Sequence, residues 1–255
     1  MPPLSPPPPP DIVPSVTICG LEKTLGEFFL SIEKLVIPGP GVYGLIGPNG
    51  SGKSTLAKII AGVIEADRGS VDTGGLGHRD ITLLSRKPYM MDDTVYNNLV
   101  YPLRLRNIKP DPVLVAAYLD RMGFSRKGKQ RARSLSGGEQ QKLAFLRALI
   151  FQPRLVIADE AMTALDIDSL DLFENMILAE REKNSSIWIV ISHQMSHIKR
   201  LADYIFFLNQ GKLEAEGNTQ EMLSCPASAG LRQYLRAYGG EIDNFGESEG
   251  SGGIG

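Results

Sequence analysis

The nine residues Gly47–Thr55, GPNGSGKST, place a lysine and two hydroxyls directly behind two spaced glycines. They fit G-x-x-x-x-G-K-[ST], with a strand-like run before them and a helical pattern after them, as the motif requires. Gly50 and Gly52 let such a loop adopt backbone conformations that side chains block. The loop Gly47, Pro48, Asn49, Gly50, Ser51, Gly52 can then aim its N–H groups at phosphate oxygens, helped by the N-terminus of the following helix. Lys53 is placed to reach β- and γ-phosphates, and Ser54, followed by Thr55, to offer a hydroxyl to Mg²⁺. A metal bound there needs an acid on its other side. Asp159 ends the apolar run LVIADE, where a carboxylate can hold Mg²⁺ directly or through water. Glu160 comes next and is suited to orient or deprotonate an attacking water. His193 ends IVISH, at the strand edge where α/β sheets bind ligands, and is a candidate contact to a γ-phosphate oxygen. His78 and His197 lack such a context and read as surface residues.

These residues need a scaffold. GVYGLIG (41–47) is a short apolar run ending at glycine, and Leu56, Ile59, Ile60 and Val63 fall on one face of a helix predicted over 53–64. Residues 154–160 and 186–193 read as buried strands, and 204–217 as a hairpin turning at Asn209-Gln210-Gly211. EQQKLAFLRALI and LDLFENMILAEREK supply helices between them. This alternation predicts an α/β fold with a mostly parallel sheet and an antiparallel β part. The segment 88–131 has few β-branched runs and a helix candidate over 111–123, so it reads as a small helical insert. The expected organisation is a proline-rich tail over 1–14, a core in two parts over 15–87 and 132–236, the insert between them, and a Gly-, Glu- and Ser-rich tail over 237–255, both tails read as disordered.

Composition narrows the function. The chain has 255 residues and a formal net charge of -2, so no basic field favours nucleic acid as a partner. No apolar run approaches the ~18–20 residues of a membrane span, so work at a membrane requires other chains to cross it. The two cysteines, Cys19 and Cys225, form neither a disulfide framework nor a zinc cluster and read as incidental thiols of a reducing compartment. The N-terminus lacks the basic and apolar regions of a signal peptide.

LSGGEQQ (135–141) alone is a helix start, with Ser136 as N-cap and Glu139 three residues on. Together with GPNGSGKST, DEAMTALD and SH in this order, it resembles the nucleotide-binding domains of ABC ATPases over roughly residues 13–225. The resemblance implies a P-loop NTPase core and a head-to-tail homodimer that sandwiches two ATP molecules. Ser136, Gly137 and Gly138 of one copy would then address the γ-phosphate held by the other. Ala164–Asp166 would contact the opposite copy beside the catalytic glutamate.

Four departures from the family pattern stand out. The residue expected to stack on adenine is Leu25, which offers apolar contact without a ring; Phe28 and Phe29 are alternatives, each also read as core packing. Ala161 replaces the proline after the glutamate, and Ala158 replaces a larger aliphatic before Asp159. In ITLLSRKPYMMDDTVYNN (81–98), the glutamine usual two residues before proline is Arg86. A guanidinium has no acceptor and cannot ligate Mg²⁺, although it can pair with phosphate. Arg86 therefore reads either as a solvated strand end or as part of the nucleotide site.

The function expected from the resemblance is the ATP-hydrolysing subunit of a membrane transporter. MMDDTVYNNLVYPLRLR resembles the same segment of importer ATPases for small ions and oxyanions. Transmembrane permease subunits would be partners, with a substrate-binding protein beyond them, and the chain would sit peripherally at the inner face of the cell membrane. The alternative is a soluble assembly ATPase, for example of the iron–sulfur-scaffold type. A DNA-repair ATPase is disfavoured because the roughly 80 residues between the phosphate loop and LSGGE hold no sustained heptads.

Overall fold

The computed structural model describes residues 13–238 except 164. The predicted tails up to 12 and beyond 238 lie outside the described residues, as does Ala164. The strands are β1 (Val16–Leu25), β2 (Phe28–Ile37), β3 (Gly41–Ile46), β4 (Arg68–Asp72), β5 (Ile81–Ser85), β6 (Leu155–Asp159), β7 (Ile187–Ile191), β8 (Tyr204–Asn209) and β9 (Lys212–Asn218). The helices are α1 (Lys53–Ile60), α2 (Val95–Leu105), α3 (Pro112–Arg121), α4 (Gly137–Leu149), α5 (Ile167–Asn184), α6 (Met195–Leu201), α7 (Thr219–Ser224) and α8 (Ala229–Tyr238).

Among the described residues the strands form one sheet in the order β4-β1-β2-β9-β8-β3-β7-β6-β5. The run β8-β3-β7-β6-β5 is parallel, while β4-β1-β2 and the β8–β9 hairpin pair antiparallel. A single parallel register pair, Ser31 with Lys212, joins the two parts. β3 and β7 are buried along their whole length, which is why both read as unbroken apolar runs: a parallel sheet is covered on both faces. Successive side chains point to opposite faces. Trp188 and Val190 enter one cluster with α2, α4 and α5, whereas Ile187, Ile189 and Ile191 enter a second with β1, β2 and α1.

Five expectations need correction. The first helix stops at Ile60, where Gly62 turns the chain at φ 68 and leaves Val63 60% exposed, outside the predicted apolar face. Phe29 is 47% exposed and not in the core. His197 is buried, not a surface residue. The connection 88–131 also holds a second helix, α2, whose Pro102 masks it in sequence. There Leu99, Val100 and Leu103 are fully buried, and this packing holds the helix despite the proline. Thr94 starts it by accepting the Asn97 N–H. α8 runs to Tyr238, two residues past the expected end of the core.

Candidate nucleotide site

Strand β3 delivers the chain to the phosphate loop at its C-terminal edge. Gly47 has φ 146, and a Cβ there would stand 2.0 Å from the Leu208 carbonyl oxygen, so only glycine fits. Gly52 has φ 104, and a Cβ would lie 2.9 Å from the Phe28 ring. Behind the loop, the Gly211 N–H in the β8–β9 turn donates to Ser51 O at 3.2 Å. The loop is therefore packed against β8, β2 and the β8–β9 turn.

Lys53 is buried and donates to Gly47 O at 2.7 Å and Pro48 O at 2.8 Å. Burial lowers its pKa, while Glu160 and Asp159 act in the opposite direction. Its ammonium is thus satisfied by carbonyls of its own loop. Ser54 donates to Asp159 Oδ1 at 3.0 Å. Burial raises the Asp159 pKa and the Ser54 hydrogen bond opposes it. Asn49, Gly50 and Ser54 are exposed at the open side of the loop, with Thr55 half-buried beside them.

Glu160 departs from ordinary backbone. It has φ 49, a left-handed conformation uncommon for a side-chain-bearing residue, and such outliers gather at functional sites. Two groups hold the turn: the Glu160 N–H donates to Ile191 O at 3.0 Å, and the Thr163 hydroxyl donates to Glu160 O at 3.0 Å. The carboxylate lies between two partners. His193 Nδ1 is 3.5 Å from Oε1, and Arg86 Nη1 is 3.3 Å from Oε2. The β5–β6 register explains the second contact: Ser85 pairs with Asp159, so the residues that follow each also meet.

The structure thus gathers Lys53, Ser54, Asp159, Glu160, His193 and Arg86. Leu25 ends β1, 46% exposed, across a tight turn from Phe28, and Phe28 packs on Gly52 together with Leu30. Ser136, Gly137 and Gly138 stand apart: no hydrogen bond or ion pair ties them to the phosphate loop within the described residues. They open α4 as a full capping box, with Glu139 Oε2 accepting the Ser136 N–H. Ser136 and Gly137 are exposed, and a Cβ on Gly137 would meet nothing within 4 Å.

Two residues near the site escaped the sequence reading. Gln141, 2% exposed on α4, donates from Nε2 to Ala161 O at 2.5 Å and Ser85 O at 3.4 Å. Tyr234 of α8 is buried beside the Gly47 backbone and Glu160, and burial pushes its phenol up to about 12. Gln141 sits next to a motif already singled out and was accessible in principle. Tyr234 lies far along the chain, in a helix with no local cue.

The ABC transporter family matches residues 34–163. The tungstate uptake system ATP-binding protein TupC of Peptoclostridium acidaminophilum is 33% identical over 210 residues, covering 79% of this chain and 98% of that protein. The chain belongs to the ABC transporter family. It is an ATP-binding, ATP-hydrolysing member that energises a transporter. The methionine import ATP-binding protein MetN of Caulobacter vibrioides is 29% identical, covering 89% of this chain and 74% of that protein. The phosphate import ATP-binding protein PstB of Saccharolobus solfataricus is 28% identical, covering 78% and 86%. Among solved structures, a bacterial Atm1-family ABC exporter with ATP bound superposes with a TM-score of 0.77 at 20% identity. That match covers 90% of this chain and 43% of the exporter chain, and it establishes the shared P-loop NTPase fold. Among the described residues no helix is long and apolar enough to cross a membrane.

Proposed function

We propose that this chain is the ATPase subunit of an importer for a small ion or oxyanion, working as a head-to-tail homodimer beneath separate permease subunits at the inner face of the membrane. The names of its relatives support import: they are uptake or import ATP-binding proteins for tungstate, methionine and phosphate. The proposed division of the chain has the core over 15–87 and 132–236 and a helical subdomain over 88–131. A groove between β5, α2 and α4, lined by Leu83, Tyr89, Leu105 and Phe151, is offered to the permease. Tyr89 and Leu105 are 70% and 58% exposed there.

In the proposed mechanism the loop N–H groups and Lys53 bind the phosphates. Lys53 exchanges its loop carbonyls for the β- and γ-phosphate oxygens. Ser54 and Asp159 would hold Mg²⁺, which supplies charge neutralisation on the phosphates when bound. Their donor set fits: a hydroxyl and one carboxylate, 3.0 Å apart, suit a hard cation that keeps phosphate and water ligands. Glu160 takes the proton of the attacking water, and His193, on its other side, contacts the γ-phosphate. Ser136, Gly137 and Gly138 close the site from the second copy, their open helix start facing outward. Leu25 and Phe28 give the base an apolar contact.

The observation that carries this reading is Glu160, held at φ 49 between His193 and Arg86, one residue from Asp159. Glu160→Gln is expected to bind ATP, accumulate as an ATP-bound dimer and lose turnover by about 100-fold or more, the scale of a lost general base. Turnover at the wild-type rate in that variant would remove Glu160 as the base.

A further inference from the structure

Arg86 has no counterpart in the chemistry assigned so far. Its guanidinium is 67% exposed, and among the described residues its ion-pair partner is Glu160, itself only 17% exposed. The contact is imposed by topology, because β5 and β6 run parallel with Ser85 opposite Asp159. Packing does not hold the arginine head. The acid it touches sits beside Asp159, and Asp159 receives the Ser54 hydroxyl at the mouth of the phosphate loop.

Both cations of the site are therefore spent internally in the nucleotide-free chain. Lys53 is turned onto Gly47 O and Pro48 O, and Arg86 onto Glu160. Phosphate oxygens compete with these partners for both an ammonium and a guanidinium. Arg86 in particular offers a planar fork matched to phosphate, and its exposed head leaves the pair open to exchange. Arg86 also opens the connection to α2. That connection is held by Arg147, which donates to Tyr89 O at 2.8 Å, and by Arg133, which donates to Met90 O at 3.2 Å. Arg86 thus stands at the start of the segment that leads into α2.

We propose that Arg86 is a γ-phosphate sensor that trades partners, pairing with Glu160 in the nucleotide-free chain and with the γ-phosphate once ATP is bound. The triphosphate then draws Arg86 off the carboxylate and leaves Glu160 to accept the water. A diphosphate offers no terminal group at that place and leaves the pair intact. The proposal rests on the reading of Glu160 as the base, but its test does not depend on turnover.

The test is equilibrium binding of a non-hydrolysable ATP analogue and of ADP, each with Mg²⁺, by calorimetry at concentrations where light scattering shows a monomer. Arg86→Gln is expected to weaken the analogue about tenfold and to leave ADP within about twofold, the difference made by one charged phosphate contact. Arg86→Lys keeps the charge without the fork and is expected to fall between. Glu160→Gln removes the competing partner and is expected to tighten the analogue a few-fold, a gain that vanishes when Arg86→Gln is also present. Equal weakening of both nucleotides, no change in either, a lysine variant no better than glutamine, or additive double variants would each overturn the exchange. If Glu160→Gln hydrolyses ATP normally, the base assignment fails separately, and the analogue-to-ADP ratio still decides Arg86.

Discussion

Gln141 is one amide joining three functional segments, and its removal has a calculable cost. From α4 it reaches Ala161, which follows Glu160, and Ser85, which precedes Arg86. Gln141→Met keeps the length and packing of the side chain and deletes only the donor. Ser85 is exposed and water can replace its long 3.4 Å bond. The Ala161 carbonyl belongs to a residue 2% exposed and loses a 2.5 Å bond, so it is left unpaired in the interior. Leaving one buried acceptor unpaired costs about 1–3 kcal/mol. At about 2–4 °C per kcal/mol for a chain of this size, the melting temperature should fall by about 2–12 °C. Gln141→Glu should be worse, because an ionised carboxylate has no donor and sets an oxygen against the Ala161 oxygen. The functional effect follows from position. Ala161 directly follows Glu160, which is held at φ 49, so a shift of Ala161 is passed to the carboxylate and kcat should drop about tenfold or more while KM moves little, since misplacing a catalytic group is costly. Thermal unfolding by circular dichroism and steady-state ATPase assays read both effects. A methionine variant that melts within about 1 °C of the wild type, with the glutamate variant no less stable, would refute the reasoning.

Two further outcomes are expected. Ser136→Arg sets a bulky cation on the exposed start of α4, away from the chain's own phosphate loop; monomeric ATP affinity should be unchanged while light scattering shows no ATP-dependent dimer. Lys127, from the insert, pairs with Glu139 of the capping box, and this pair together with the Ser136 N–H depresses the Glu139 carboxyl to about 2. A depressed acid contributes stability that is fully present above its unfolded value near 4.5 and is lost as pH falls from there through about 2. The pair is largely solvated, so the loss is at most about 1 kcal/mol, and Lys127→Ala should flatten the acid limb of a pH–stability curve.

What the chain discloses about itself depends on whether the cue is local. The buried strands β3, β6 and β7 are legible because a parallel sheet covered on both faces needs unbroken apolar runs, and GVYGLI, LVIAD and IWIVI are such runs. The phosphate loop is legible because Gly47 and Gly52 are required by contacts that no other residue tolerates. α2 is obscured because Pro102 is a local breaker, and its helix is decided by the burial of Leu99, Val100 and Leu103. Phe29 misleads in the opposite direction: strand aromatics usually pack, but β2 alternates and Phe29 faces out while Leu30 faces in. His197 lacks any motif around it, and only the fold of α6 against the sheet buries it.

The site shows the same division more sharply. Lys53, Ser54, Asp159 and Glu160 can be named from spacing because each stands at the end of a strand or the start of a helix, and the sheet order then brings them together. Arg86 could be located but not assigned, since two residues of chain cannot say whether a guanidinium faces water or an acid. The deciding fact is a register, Ser85 opposite Asp159, between strands about 70 residues apart. That register places a permanent positive charge against the carboxylate proposed to activate water. A glutamine at this place could touch the metal or the water as a neutral group, whereas an arginine can act only through anions. Its anion in the nucleotide-free chain is Glu160, the proposed competitor is the γ-phosphate of ATP, and the chemistry of the site turns on which of them holds it.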